Sequence, residues 1–252
     1  MTKIHLLIRK EDIDEEKVKE GNKIAVVLDV LLATTTITSA LNDGATEVIP
    51  VMDRHEALEF AKGYDESQRI VAGEEKAKPI DGFVYPSPKV IGKLIKDKTL
   101  ILSTTNGTVA LRKASQAKKV YVSALINNLT VAERIHEEKL DADTILVVCS
   151  GNSGELSLED FYGAGHFISC LLENDTSYQL TDAAKAALHF YTGSSNDSYD
   201  ILQSSYVGQL FDKHDGVDEL LFASNKGAVP IVPILEGRKV VIENPVKLHS
   251  TQ

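Results

Sequence analysis

The chain reads as a mixed α/β body with a largely helical segment towards its C-terminus. Three observations predict this. Short aliphatic runs alternate with amphipathic stretches over residues 3–172, as strands alternate with crossover helices. Residues 143–149 are apolar almost throughout, the pattern of a strand whose two faces are both covered. Residues 175–223 carry helical spacing, broken at residues 192–198 by what reads as a surface turn. No repeat of fixed period and no linker composition divides the chain, so residues 1–252 are expected to form one domain.

In order, residues 3–8 alternate as a strand does, and residues 11–20 are a charged helix or loop whose acids form a solvated face. Residues 23–28 are a strand ending at Asp29. Within residues 30–41, Thr34, Thr35 and Thr36 lead into an apolar helix that ends before Gly44. Strands follow at 47–52 and 69–72, with a helix at 53–62 between them capped by Asp53. Residues 73–88 hold three prolines and two glycines. They read as a long loop, a length that usually marks a working site or a mobile segment. A helix over 89–95, a strand over 99–102 and a short helix from about Thr108 come next. Residues 118–123 are a strand and 125–139 a helix. Ser157 and Asp160 open the helix 156–172 with the spacing of a capping box. Residues 230–235 and 238–242 read as a hairpin at a sheet edge, turning at Glu236 and Gly237.

Composition narrows the function. The net charge is -10 with no basic run, which argues against nucleic acid or an anionic membrane as partner. No apolar run approaches the ~18 residues of a membrane span, and the N-terminus lacks a signal-peptide pattern. Cys149 and Cys170 are the only cysteines, so a disulfide framework is not implied and a reducing cytoplasm fits.

The chemistry concentrates at strand ends. Residues 99–102 empty into Ser103, Thr104, Thr105, Asn106, Gly107 and Thr108, and a helix follows. Free N–H groups and the positive dipole end make such a strand–loop–helix junction a general anion site; the same residues also suit an ordinary cap. The plan repeats at Asp29, where Thr34, Thr35 and Thr36 lead into the next helix. Asp29 can bind a divalent metal, handle a proton or simply cap. A third polar loop, from Ser150 and Gly151 to Glu155, follows Cys149. Glu74 lies just past a strand end and is a candidate second metal carboxylate. Asp160, beside Glu159, is either a cap or a carboxylate at the mouth. In open α/β sheets ligands bind outside the carboxyl ends of strands, so these tips are expected to face one crevice.

Familiar phosphatase plans can be tested directly. A thiol phosphatase needs Arg six residues after its Cys, and here that residue is Glu155, which would repel phosphate. An aspartyl phosphatase of the haloacid-dehalogenase type needs a second Asp two residues on, and Leu31 stands there. The chain has neither a Walker-type loop nor zinc-ligand spacing, and Gly163 with Gly165 lies inside a helix rather than in a dinucleotide fingerprint.

Several pieces in order resemble the 2-phosphosulfolactate phosphatase (ComB) family. They are residues 26–36 (Val-Val-Leu-Asp-Val-Leu-Leu-Ala-Thr-Thr-Thr), Gly73-Glu74, Gly82-Phe83 with Ser87-Pro88, residues 103–108, Cys149-Ser150-Gly151, and residues 157–160 with Ala164-Gly165. The resemblance covers nearly the whole chain. It implies a three-layer α/β/α fold and a Mg²⁺-dependent phosphatase that hydrolyses 2-phosphosulfolactate to 3-sulfolactate and phosphate, a step towards coenzyme M. Two positions depart from the family: Leu32 stands where an Arg is usual, and Pro86 replaces the Asn of an Asn-Ser-Pro turn.

On this reading Asp29, Glu74 and Asp160 hold the metal, and Asp29, Asp160 and Cys149 are the catalytic candidates. Whether water or the Cys149 thiol attacks is left open. Thr34, Thr35, Thr36, Thr104, Thr105, Asn106, Gly107, Thr108, Ser150 and Gly151 bind the substrate, a small phosphorylated anion. Lys76, Lys78 and Arg112 are candidate sources of positive charge, and a homodimer is compatible. The competing reading, favoured by Leu32, is a non-catalytic or altered-specificity binding protein for small phosphorylated or sulfonated acids.

Overall fold

The computed structural model describes residues 1–138, 142–194, 197–213 and 216–243. Its strands are β1 (Lys3–Leu7), β2 (Lys23–Leu28), β3 (Glu47–Val51), β4 (Arg69–Glu75), β5 (Lys78–Pro79), β6 (Thr99–Ser103), β7 (Lys119–Ser123), β8 (Thr144–Cys149), β9 (Gln179–Leu180), β10 (Pro233–Glu236) and β11 (Lys239–Ile242). The α-helices are α1 (Glu15–Lys19), α2 (Ala33–Asn42), α3 (Arg54–Ala61), α4 (Pro88–Gly92), α5 (Gly107–Ala114), α6 (Asn128–Glu138), α7 (Leu158–Asn174), α8 (Asp182–Gly193), α9 (Ser198–Ser204), α10 (Tyr206–Lys213) and α11 (Val217–Ser224).

The strands form one sheet in the order β5-β4-β6-β3-β11-β10-β7-β2-β8-β1-β9. Alternation along β2 shows why it is layered. Ile24, Val26 and Leu28 pack with Val131, Phe167 and Ile168 of α6 and α7. Ala25 and Val27 pack on the opposite face with Ile37 of α2 and Leu111 of α5. A strand has period two, so a run apolar at every position must be covered on both sides. The result is a three-layer α/β/α arrangement. Across the sheet from α2, α4 and α5, helix α3 lays Ala57 and Ala61 on Ile49, Val51 and Ile101.

The hairpin β10–β11 is not at an edge. It runs antiparallel between two parallel blocks, β4-β6-β3 and β7-β2-β8-β1. Sequence periodicity marks a hairpin but not its neighbours: Val240, fully buried, pairs with Val48 of β3, and no local pattern specifies a pairing between positions so far apart in sequence.

The hairpin joins each block through a single register pair, Val240 with Val48 and Ile234 with Tyr121. The consequence reaches the strand tips. β6 and β2 are five places apart in the strand order, about 24 Å on a flat sheet at ~4.8 Å per strand. Gly107 lies four residues past the end of β6, a reach of at most ~14 Å. Yet a Cβ on Gly107 would sit 2.5 Å from Asp29 Oδ2. The two blocks therefore turn towards each other across the hairpin, and their carboxyl ends converge.

Two further differences from the sequence reading bear on the site. Residues 73–88 are not one open loop: β4 runs to Glu75, β5 pairs back on it, and Ala72 bridges to Val84. The helical segment also begins with β9, which adds to the sheet beside β1. Helices α9 and α11 then roof the end of β2, where Val30, Leu31 and Leu32 pack with Leu202, Leu220 and Ala223. Ser87 Oγ hydrogen-bonds Glu219 and Lys89 pairs with Asp218, fastening α11 to α4. Among the described residues no helix is long and apolar enough to cross a membrane.

Candidate active site

The converging tips and α10 enclose a cleft of about 610 Å³. Asp29, Glu74, Thr104, Thr105 and Asn106 line one side; Tyr206, Val207 and Phe211 of α10 line the other.

Asp29 ends β2 and is 7% exposed. Its Oδ1 accepts the Ala33 N–H at 3.2 Å. Burial raises its pKa to about 7, with the negative charges of Glu74 and Glu159 adding to the effect and N–H groups of Ala33 and Gly107 opposing it. Gly107 is glycine for a steric reason: a Cβ there would also lie 2.5 Å from the Ala33 Cβ. Only a bare Cα lets the start of α5 approach the carboxylate so closely.

Glu74 joins the ends of β4 and β6. Its Oε1 accepts the Thr105 N–H at 2.7 Å, and its Oε2 accepts the Thr105 hydroxyl at 3.1 Å and the Ala77 N–H at 2.7 Å. Asn106 is held through Oδ1 by two donors, Lys10 Nζ at 2.7 Å and the Ser153 N–H at 3.2 Å. With its oxygen committed, the Asn106 amide keeps its N–H groups for a ligand. Thr104 lines the cleft, while Thr108 is buried behind it, and the two bond reciprocally: each N–H donates to the other's hydroxyl, at 3.1 and 3.0 Å.

Other candidates lie elsewhere. The hydroxyls of Thr34, Thr35 and Thr36 donate to the carbonyls of Asp29, Val30 and Pro86 at 2.8, 2.8 and 2.7 Å. All three side chains are fully buried and none lines the cleft. Threonine at a helix start readily bonds back to a preceding carbonyl: Thr34 and Thr35 tie the turn after β2 together and Thr36 ties α2 to Pro86, so the cluster spends its hydroxyls on the backbone instead of offering them to a ligand. Asp160 is likewise committed: Oδ1 accepts the Val30 N–H at 2.8 Å and Oδ2 the Gly151 N–H at 3.1 Å. It pins the tips of β2 and β8 together, and burial, followed by the charges of Asp29 and Glu159, raises its pKa well above the usual range.

Cys149 is in the core beneath the site. Burial, then Asp160 and Glu159, pushes its thiol well up, the opposite of what a nucleophilic thiolate needs. Ser150 is fully buried, and its Oγ has no hydrogen-bond partner among the described residues. Gly151, at φ +72°, serves Asp160 through its N–H. From this third loop Asn152, Ser153 and Glu155 reach the cleft instead. Arg112 pairs with Glu56 at 3.1 Å and does not line the cleft.

The sequence reading missed Lys10 and the wall supplied by α10. A lone lysine shortly after β1 carries no motif, and α10 reaches the cleft only through the tertiary fold. Among the described residues no group of three His, Cys, Asp or Glu converges to hold a metal, and Asp160 is buried and does not line the cleft. Asp29 and Glu74 do fit a hard cation. Both line the cleft, both offer oxygen, and Asp29 is a buried carboxylate with no cationic side-chain partner among the described residues. Mg²⁺ commonly binds through one or two carboxylates and keeps several waters.

The family model described as 2-phosphosulpholactate phosphatase matches residues 7–238. A probable 2-phosphosulfolactate phosphatase of Clostridium beijerinckii is 35% identical over 244 residues, covering 96% of this chain and 100% of that protein. Proteins of the same description from Clostridium novyi and Clostridium perfringens are each 37% identical, over 233 and 252 residues, covering 92% and 98% of this chain and 96% and 99% of theirs.

Proposed function

This chain belongs to the 2-phosphosulpholactate phosphatase family, and from that premise we propose that it hydrolyses 2-phosphosulfolactate to 3-sulfolactate and phosphate with Mg²⁺ as cofactor. The observation that carries the reading is the convergence of Asp29, Glu74 and residues 104–106 on one cleft.

Asp29 and Glu74 would hold the ion, which supplies positive charge against the phosphoryl oxygens when bound. The Asn106 amide donates to a phosphoryl oxygen, and the N-terminus of α5 adds its dipole to the same charge. Burial raises the pKa of Asp29 to about 7 in the absence of an ion, and a cation held there would favour its ionised form. Water is the nucleophile in this reading because the Cys149 thiol is buried and protonated. Tyr206, Val207 and Phe211 limit solvent on the far wall.

Phosphate release from 2-phosphosulfolactate, with Mg²⁺ and after its removal by EDTA, tests the proposal. Release that stops with EDTA and returns with Mg²⁺ is expected. No release under either condition defeats it and favours the second reading, a binding protein, for which the apolar Leu31 and Leu32 at the cleft are the supporting observation.

A further inference from the structure

The charged groups lining the cleft are Asp29, Glu74, Glu155 and Lys76. Lys76 is thus the one cationic side chain among the described residues of the lining. Its ammonium has no ion-pair partner among the described residues. Lys10 is different: its Nζ is committed to Glu11 at 2.6 Å and Asn106 at 2.7 Å.

The backbone beneath Lys76 is unusual. Lys76 and Ala77 form the two-residue loop between paired Glu75 and Lys78, with φ of +53° and +62°. Such loops favour Asn-Gly or Gly-Gly, because both positions are left-handed. Here two L side chains are held there by specific bonds: the Lys76 N–H donates to Thr105 Oγ1 at 2.8 Å and the Ala77 N–H to Glu74 Oε2 at 2.7 Å. The turn is fastened to the loop that contacts the phosphoryl group. Strained backbone of this kind persists where the surroundings fix it, and it clusters at ligand clamps.

We propose that Lys76 is a specificity-determining residue whose ammonium receives the second acidic group, carboxylate or sulfonate, of a phosphorylated acid. The inference rests on the phosphatase reading for the position of the phosphoryl group. It assigns Lys76 to a different part of the ligand, so binding can test it without turnover.

Calorimetry with sulfolactate and with inorganic phosphate, on wild type, Lys76→Ala and Lys76→Arg, is the experiment, joined by KM and kcat on 2-phosphosulfolactate. Lys76→Ala is expected to weaken sulfolactate about tenfold, the scale of one partly screened charge contact, while phosphate binding stays within about twofold. KM rises by a similar factor with kcat nearly unchanged, and Lys76→Arg restores most of the loss. Equal weakening of both ligands, no weakening of sulfolactate, or no sulfolactate binding by the wild type overturns the inference. Absence of wild-type turnover defeats the phosphatase reading alone, and the calorimetric comparison still decides the role of Lys76.

Discussion

The tips of β2 and β6 are built from similar residues and meet over the same cleft, yet they present different atoms to it. After Asp29 the three threonines turn inwards and bond to backbone carbonyls. After Ser103, by contrast, Thr104, Thr105 and Asn106 line the cleft. The difference lies in where each cluster sits. Thr34, Thr35 and Thr36 fall inside the first turns of α2, where Thr34 and Thr35 reach preceding carbonyls and Thr36 reaches the packed loop at Pro86. Thr104, Thr105 and Asn106 precede α5 and are held from outside, by Thr108, Glu74 and Lys10. Hydroxyl content marks a junction; position relative to the helix start decides whether it faces a ligand.

Substitutions at the two tips should separate accordingly. Asn106→Ala removes cleft-facing donors and is expected to lower kcat/KM by about a hundredfold, the usual cost of one donor to a developing oxyanion; steady-state phosphate release reads it. Thr36→Val removes an inward bond and leaves the Pro86 carbonyl without it. That change should lower stability by ~1 kcal/mol, read as a fall in the urea midpoint, and leave kcat within about twofold of wild type. A large loss of kcat in Thr36→Val at unchanged stability would erase the contrast between the tips.

A separate effect lies in the pH dependence of stability without added metal. Asp29 has a folded-state pKa near 7 against an ordinary value of 3.8. The folded chain therefore holds a proton that the unfolded chain releases, and stability declines as pH rises from about 4 to 7. Asp29→Asn should flatten that decline, as urea midpoints across the range would show; an unchanged slope would place the raised pKa elsewhere.

Much of the fold was legible in the sequence. Strands such as β2 and β8 are apolar at nearly every position, which is possible only between two helical layers. The place of the β10–β11 hairpin was not, because pairing between Val240 and Val48 is set by the whole sheet. Asp29, Glu74 and Asn106 were legible as polar residues at strand ends. The inward turn of Thr34, Thr35 and Thr36 and the commitment of Asp160 were not, since hydrogen-bond partners depend on the final geometry. Lys10 and α10 reach the site only through tertiary packing.

The central claim is that Asp29 and Glu74, from different blocks of the sheet, share one cation site. Calorimetric titration of Mg²⁺ into the wild type, Asp29→Asn and Glu74→Gln tests it most directly. The expected result is one ion per chain in the wild type and a comparable loss of affinity in both variants. Wild-type affinity retained in both variants would contradict the claim.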